Sequence, residues 1–498
     1  MYARLNAISA IAGTAIALAA ASCATEADRL LDRGAMARDV RKLERTLRLT
    51  HPAVGRTASA QDLVATRERI LADLPDSATV LAFAGAVQPL LDTLRGGHVG
   101  IYPRGIGRGS RRSARRSRLP LSPRRLTDGR VVVAQVAEGS DTALIGEEVV
   151  AVEGQPIAGL LDEISRFGGG SDGPNVTGVA ERAARRIPSY LAWRDGARDT
   201  FHVELRRGAP ATGREAAWPP YAVALPAAGT AGGRGGNARE RRRRRAWRPL
   251  GYGFDADRGV AVLDVNSFSG YDPLNFRWPI ALRRAVARAR RDGARGLVLD
   301  LRGNGGGRSA NVATLLRQVV VEPTPLYGPW TLPRSGWLNA SPINRVLLGA
   351  NVLAARGEDA RFGRWMRHRV KPRRRGFAGR VVVLIDGGTF SAAAATAAVL
   401  KSSRRATLVG REAGGNYHET YAGLFSTVAL RDSGLVLRVP HLLIPVAVDP
   451  SVQSFGESLQ PDVAWPLRRE ALLTDTDEVL LLGLELAAGE GLDGPRAD

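Results

Sequence analysis

Apolar residues recur at helical spacing through the first part of the chain. Met36, Val40, Leu43 and Leu47 form one stripe, and Val80, Phe83, Val87, Leu90, Leu91 and Leu94 form another. Between them Ser59 and Asp62 make a capping pair, followed by Leu63, Ile70, Leu71 and Leu74. These patterns predict helices over about 35–95. His51-Pro52 separates the first helix from the second, and Gly96-Gly97 stops the last, with His98 immediately after. Beyond residue 118 the period shortens to that of strands. Val131-Val132-Val133 is followed by a turn at Gly139. The run Glu148-Val149-Val150-Ala151-Val152 is closed by Glu153-Gly154-Gln155-Pro156-Ile157, and 201–205 is a further strand. Residues 208–250 are rich in Pro, Gly, Ala and Arg and predict a linker or surface insertion with little fixed structure. After it strand-like runs at 260–265, 296–301 and 381–385 alternate with helical stretches at 282–291, 311–320 and 391–400. That alternation predicts an α/β core with crossover helices.

Composition changes this picture little. The 498 residues exceed one compact core, and 44% hydrophobic with 24% charged residues excludes wholesale disorder and a polytopic membrane protein. The single cysteine excludes an internal disulfide framework and a Cys-based zinc cluster. The net charge of +22 invites a nucleic-acid reading, but only Lys42, Lys371 and Lys401 are lysines and the rest of the 71 basic residues are arginines. Much of the excess lies in three runs, 108–125, 239–248 and 367–375, without regular aromatic interleaving. They read as solvated segments or contacts to an anionic surface, and no nucleic-acid partner is expected.

Residues 1–23 have the pattern of a secretory signal: Arg4, an apolar small-residue stretch over 7–21, then Ala20-Ala21-Ser22-Cys23. The ending resembles a bacterial lipoprotein signal, in which Cys23 would become the lipidated first residue; an ordinary cleaved signal is the plainer reading. Both predict an exported chain, periplasmic or in the cell envelope, and the first adds a lipid anchor in the membrane.

Two segments carry candidate chemistry. Val381-Val382-Val383-Leu384-Ile385 runs into the turn Asp386-Gly387-Gly388-Thr389-Phe390, and Ser391 opens an alanine-rich helix. Its hydroxyl stands at the positive end of that helix, where negative charge on an attacked carbonyl would be stabilised; a plain N-cap is the alternative. Gly296-Leu297-Val298-Leu299-Asp300-Leu301-Arg302-Gly303-Asn304-Gly305-Gly306-Gly307 is an apolar strand entering a glycine-rich turn. It lacks the P-loop lysine, and Arg308 stands at the last glycine of a dinucleotide fingerprint, so nucleotide binding is not expected. Gly169-Gly170-Ser171-Asp172-Gly173 fits a nucleophile elbow in letters but follows a helical stretch, and reads as a flexible loop.

Together these segments resemble the tail-specific (C-terminal processing) serine peptidases and the related tricorn core. The carrying motifs are Asp-Leu-Arg-x-Asn-x-Gly-Gly from Asp300 to Gly307, Thr389-Phe390-Ser391, a later Gly410 and Gly415, and Pro461-Asp462-Val463. The stretch Ile145-Gly146-Glu147-Glu148-Val149-Val150-Ala151-Val152-Glu153-Gly154 is similar to part of a PDZ domain. The resemblance implies that Ser391 is the nucleophile and that the N–H groups of Gly306 and Ala392 form the oxyanion hole. One branch of the family uses a lysine about 25 residues after the serine, but Asn416 stands there. Lys401, ten residues down the same helix, is about 15 Å along its axis. The tricorn-like branch uses a histidine after the N-terminal helices, matched by His98, and an acid near the C-terminal end. Glu457 is the choice for that acid, with Asp449 second. Two departures stand out: Gly97 replaces a serine before the histidine, and Ala394 replaces an acid three residues after Ser391.

The expectation is a multidomain α/β protein. It comprises a signal at 1–23, a helical domain at 29–100, a PDZ-like β-rich module at 118–207, a linker or insertion at 208–258, a crotonase/ClpP-like catalytic core at 259–470 and a C-terminal tail at 471–498. Its activity would be that of an exported serine endopeptidase. It would take polypeptides recognised near their carboxyl terminus and need neither metal nor cofactor. The rival expectation is a non-catalytic peptide-binding envelope protein on the same fold.

Overall fold

The computed structural model describes residues 26–103, 119–137, 139–167, 172–173, 175–196, 198–207, 219–227, 249–269, 276–332, 369–474 and 476–490. Cys23, Ser171 and the arginine run at 239–248 lie outside the described residues.

Four helices build the N-terminal part: α1 (Arg33–Thr50), α2 (Ala60–Asp73), α3 (Val80–Ala86) and α4 (Gln88–Asp92), beside a two-stranded ribbon of β1 (Leu30–Asp32) and β2 (Ser77–Thr79). Asp32 caps α1 by accepting from the Ala35 N–H at 2.7 Å, and the stripe Met36, Val40, Leu43 and Leu47 is buried. Ser59 and Asp62 form the reciprocal capping box of α2. The chain then enters β3 (Gly100–Pro103), which joins β15 (Glu419–Ala429) and β16 (Leu435–Pro445) in the antiparallel order β15-β16-β3. The N-terminal unit thus donates a strand to a sheet whose other strands lie more than 300 residues away, and this carries His98 toward the core.

The β-rich unit holds β4 (Leu121–Arg125), β5 (Val131–Val136), β6 (Glu148–Val152), β7 (Gln155–Pro156), β8 (Thr200–Arg206) and β9 (Tyr221–Pro226) in the order β4-β5-β6-β8-β9, with β7 on β6. Helices α5 (Ile157–Ser165) and α6 (Val176–Arg194) connect β7 to β8. Strand β9 corrects one expectation. It lies inside the stretch read as a linker, yet it pairs with β8 along six residues. The alternation of Tyr221, Val223 and Leu225 is hidden in a Pro- and Ala-rich context, and the neighbouring strand makes it an edge.

The central sheet has the order β10-β11-β12-β13-β14-β17, from β10 (Leu250–Asp255), β11 (Val260–Val265), β12 (Gly296–Asp300), β13 (Arg380–Ile385), β14 (Thr407–Gly410) and β17 (Val463–Ala464). All neighbours are parallel except β10, an antiparallel edge that also lies in the supposed linker. One face, with Leu263, Leu297, Leu299, Val383 and Ile385, packs under α7 (Arg277–Arg291), α8 (Ser309–Val319) and α9 (Ala392–Ser402). The other face, with Val260, Val298, Val382 and Leu384, receives Leu482, Leu484 and Ala487 of α11 (Glu478–Ala488), which follows the short α10 (Arg469–Leu473). This two-sided burial explains why β12 and β13 read as continuous apolar runs. It also corrects the reading of 471–498 as a tail, because α11 covers that second face. Among the described residues no helix is long and apolar enough to cross a membrane.

Candidate active site

Two turns at the carboxyl ends of β12 and β13 are stitched together. The Asp386 carboxylate accepts from the Gly303 N–H at 2.7 Å and the Gly388 N–H at 2.9 Å. Thr389 Oγ1 donates to the Leu301 carbonyl at 2.9 Å, and the Phe390 N–H to the Asn304 carbonyl at 2.9 Å. Arg302 of the Asp-Leu-Arg motif points away, bridging Asp300 and Asp477 at 2.6 and 2.7 Å, so it holds the turn and α11 together.

Ser391 leaves this frame with φ +55° and ψ −123°, a conformation costly for a residue with a Cβ. It caps nothing. Its Oγ instead lies 3.1 Å from His98 Nε2. The Ala392 N–H, in the first turn of α9, makes no backbone hydrogen bond among the described residues. Gly415 closes the other side: a Cβ there would lie 2.4 Å from the Ala394 Cβ and 3.2 Å from Ser391 N. The tight fit explains the alanine at 394, since an acidic side chain has no room. Gly306 also abuts the nucleophile, and a Cβ there would meet Phe390 O at 2.8 Å and Ala392 N at 2.9 Å. Its N–H, however, donates to Asn304 Oδ1 at 2.8 Å. The expected pair of oxyanion donors is therefore half formed, with Ala392 open and Gly306 turned to Asn304.

His98 is largely buried, stacked on Phe390 with ring centres 4.5 Å apart and on Phe425 at 6.0 Å. Burial, reinforced by Arg438, Arg182 and His51, pushes its pKa down to about 3 and keeps the imidazole neutral. Its Nδ1 has no hydrogen-bond partner and faces Asp172 Oδ1 at 4.0 Å. Asp172 is 2% exposed. Burial lifts its pKa to about 6, against the opposing Gly97 N–H bond at 2.7 Å and the Thr420 hydroxyl bond at 3.1 Å.

The acid beside the histidine is therefore not the one expected. Glu457 is exposed, its backbone carbonyl accepts from the Tyr417 N–H at 3.3 Å, and its carboxylate forms no ion pair with His98. Asp449, also exposed, bonds Ser451. Asp172 comes from the loop between α5 and α6, the segment read as a flexible loop. Asp172 itself docks on the core. The Asp172 N–H donates to the Gly414 carbonyl at 3.2 Å, and the Ser458 hydroxyl to the Asp172 carbonyl at 3.0 Å. The signal available in sequence is the acid that follows the serine of the Gly-x-Ser-x-Gly phrase. No lysine bonds Ser391. Lys401 pairs with Asp462 at 3.0 Å, Lys42 donates to the Ala429 carbonyl, and Lys371 is exposed. Asn416 caps the start of β15, its Oδ1 accepting from the His418 N–H at 2.7 Å.

Two further histidines are buried nearby. His441 Nε2 lies 2.8 Å from Ser426 Oγ, and His51 packs on Tyr421 with ring centres 5.2 Å apart. Burial lowers His51 to about 3, with His441 adding to it, and lowers His441 to about 4. The unfolded chain takes up protons near the ordinary histidine value of 6.5, whereas these folded histidines do so only near 3–4. Stability should therefore fall as pH drops below 6.5, by a few kcal/mol in order of magnitude. Asp172, raised rather than lowered, acts oppositely, its stabilising effect being lost as pH rises through about 6. Urea unfolding at about pH 7.5 and about pH 5 should show the lower midpoint at the acid value.

A serine at a strained strand-to-helix junction, hydrogen-bonded to a neutral histidine beside a glycine-rich turn, is the constellation of a serine hydrolase. Residues 259–464 match the family model of peptidase family S41, and that part of the chain is a serine peptidase core of the family. Among solved structures, mature CPAF is similar with a TM-score of 0.59 at 16% identity, over 92% of this chain and 98% of that one. Mature CPAF complexed with lactacystin gives 0.57 at 14% identity, over 92% and 97%. At those identities the likeness speaks for the fold. No curated protein sequence matches the chain.

Proposed function

We propose that this chain is an exported serine endopeptidase that cleaves polypeptides through an acyl-enzyme formed on Ser391, with His98 as general base. The contact of 3.1 Å between His98 Nε2 and Ser391 Oγ, made by a serine held off the helical conformation, carries this reading. His98 takes the hydroxyl proton as Oγ attacks the peptide carbonyl. The Ala392 N–H receives the developing oxyanion, and the Gly306 N–H joins it when its peptide turns from Asn304 to the substrate. The imidazolium then gives its proton to the leaving amine, and water, deprotonated by the same imidazole, releases the acyl group. Asp172 orients the ring through Nδ1. The separation of 4.0 Å is too long for a hydrogen bond and closes in the substrate complex, where such contacts tighten.

The β-rich unit with its PDZ-like phrase supports recognition of an extended peptide near its carboxyl terminus by strand addition. The signal-like segment ending at Cys23 supports export, with a lipid anchor on that cysteine. The catalytic assignment is tested by labelling the purified protein with a fluorophosphonate probe and mapping the adduct by peptide mass spectrometry. The adduct should sit on Ser391 and be absent from the His98→Ala variant; labelling elsewhere, or labelling indifferent to His98, overturns it.

A further inference from the structure

The imidazole of His98 is one aromatic ring away from each of two guanidinium groups. Arg182 lies over Phe390, 4.7 Å from the ring centre, and Arg438 lies over Phe425 at 3.7 Å. Both rings stack on His98. In the proposed reaction this imidazole becomes a cation, and two nearby positive charges oppose that step. Among the described residues no acid around the site pairs with Arg438. Asp172 stands off at 4.0 Å and already accepts from Gly97 and Thr420. Glu419 is engaged by Arg56 at 2.6 Å and by the Tyr421 hydroxyl at 2.7 Å. Glu181 pairs with Arg411 and Arg124. His51 is buried and can contribute no negative charge. Arg438 itself is partly exposed and has no carboxylate or carbonyl partner among the described residues.

Resting on the serine peptidase reading above, we propose that Arg438 is a recognition residue for a substrate carboxylate next to the scissile bond, so that the preferred substrates are polypeptides acidic at that position. The guanidinium on Phe425 is held in place by the ring and presents its free edge to an anion. An arriving carboxylate would pair with Arg438 and cancel one of the two charges that oppose the imidazolium. Substrate binding and activation of the base would then share one contact. The carboxylate can come from an aspartate or glutamate side chain, or from a chain end.

The test uses paired fluorogenic peptides that differ only by Glu or Gln at each position flanking the cleaved bond, each made as a C-terminal acid and as an amide. Turnover is measured on the wild-type chain and binding on the full-length Ser391→Ala variant. Glu should be favoured over Gln by about tenfold at one position, in binding as well as in kcat/KM. Arg438→Gln should bring that ratio close to one, and Arg438→Lys should keep part of it. A preference that follows the free acid over the amide, and that Arg438→Gln also removes, assigns the source to the chain end. Equal values for Glu and Gln and for acid and amide, or a preference that survives Arg438→Gln, overturns the proposal. The binding arm needs no chemistry, so its failure is separate from a failure of probe labelling at Ser391.

Discussion

Ser391→Ala should abolish peptide hydrolysis, lowering kcat by roughly 10⁴-fold or more, because every covalent step passes through its Oγ. The expectation rests on the conformation of Ser391 as much as on its partner. A serine serving only as a helix cap would keep an extended backbone and turn its hydroxyl to the first-turn amides. Ser391 holds φ +55°, makes no such bond and leaves the Ala392 N–H open to the substrate. The alanine variant relieves the hydroxyl but not the turn, which is fixed by Asp386, Thr389 and Asn304, so it should fold and bind peptide normally. Initial rates on a quenched peptide substrate, with circular dichroism to verify folding, check this. Residual turnover within about tenfold of wild type would remove Ser391 from the mechanism.

Asp172→Asn should lower kcat by about 10²–10⁴-fold while leaving peptide binding little changed, as expected for a group that orients a histidine without touching substrate. The pH profile distinguishes orientation from mere packing. Burial raises Asp172 to about 6, so wild-type activity should decline as pH falls through about 6 and the carboxylate takes up a proton. His98 does not set that limb, because its own pKa is held well below it. In Asp172→Asn the limb should disappear, since the amide does not titrate over that range. Glu457→Gln is the matched control. Its exposed carboxylate forms no ion pair with His98, so both rate and profile should stay near wild type. An unchanged acid limb in Asp172→Asn, or a large loss in Glu457→Gln, would return the acid to the C-terminal segment.

The sequence determined by itself the elements with strong local signals. The stripe Met36, Val40, Leu43 and Leu47, the capping box of Ser59 and Asp62, and the apolar runs of β12 and β13 needed no partner to be read. Ser391, His98 and the glycine-rich turn were legible because each is a short motif of residue types with few uses. What depended on contacts across the chain was not legible. Strands β9 and β10 are edges whose composition suits a linker, and only the hydrogen bonds of β8 and β11 make them strands. The expected tail became a covering helix because the second face of the sheet had to be buried. Asp172 lies 74 residues from His98 and 219 from Ser391 in sequence, within a Gly-x-Ser-x-Gly phrase whose local pattern singles out the serine and not the acid. Its nearness to the histidine is decided by bonds to Gly97, Gly414, Thr420 and Ser458, each supplied by a different segment. The same holds for the guanidinium groups that stack on Phe390 and Phe425 beside His98. Periodicity and capping act between neighbours in sequence and so can be read there; the charge around a buried imidazole is a sum over groups that only folding brings together.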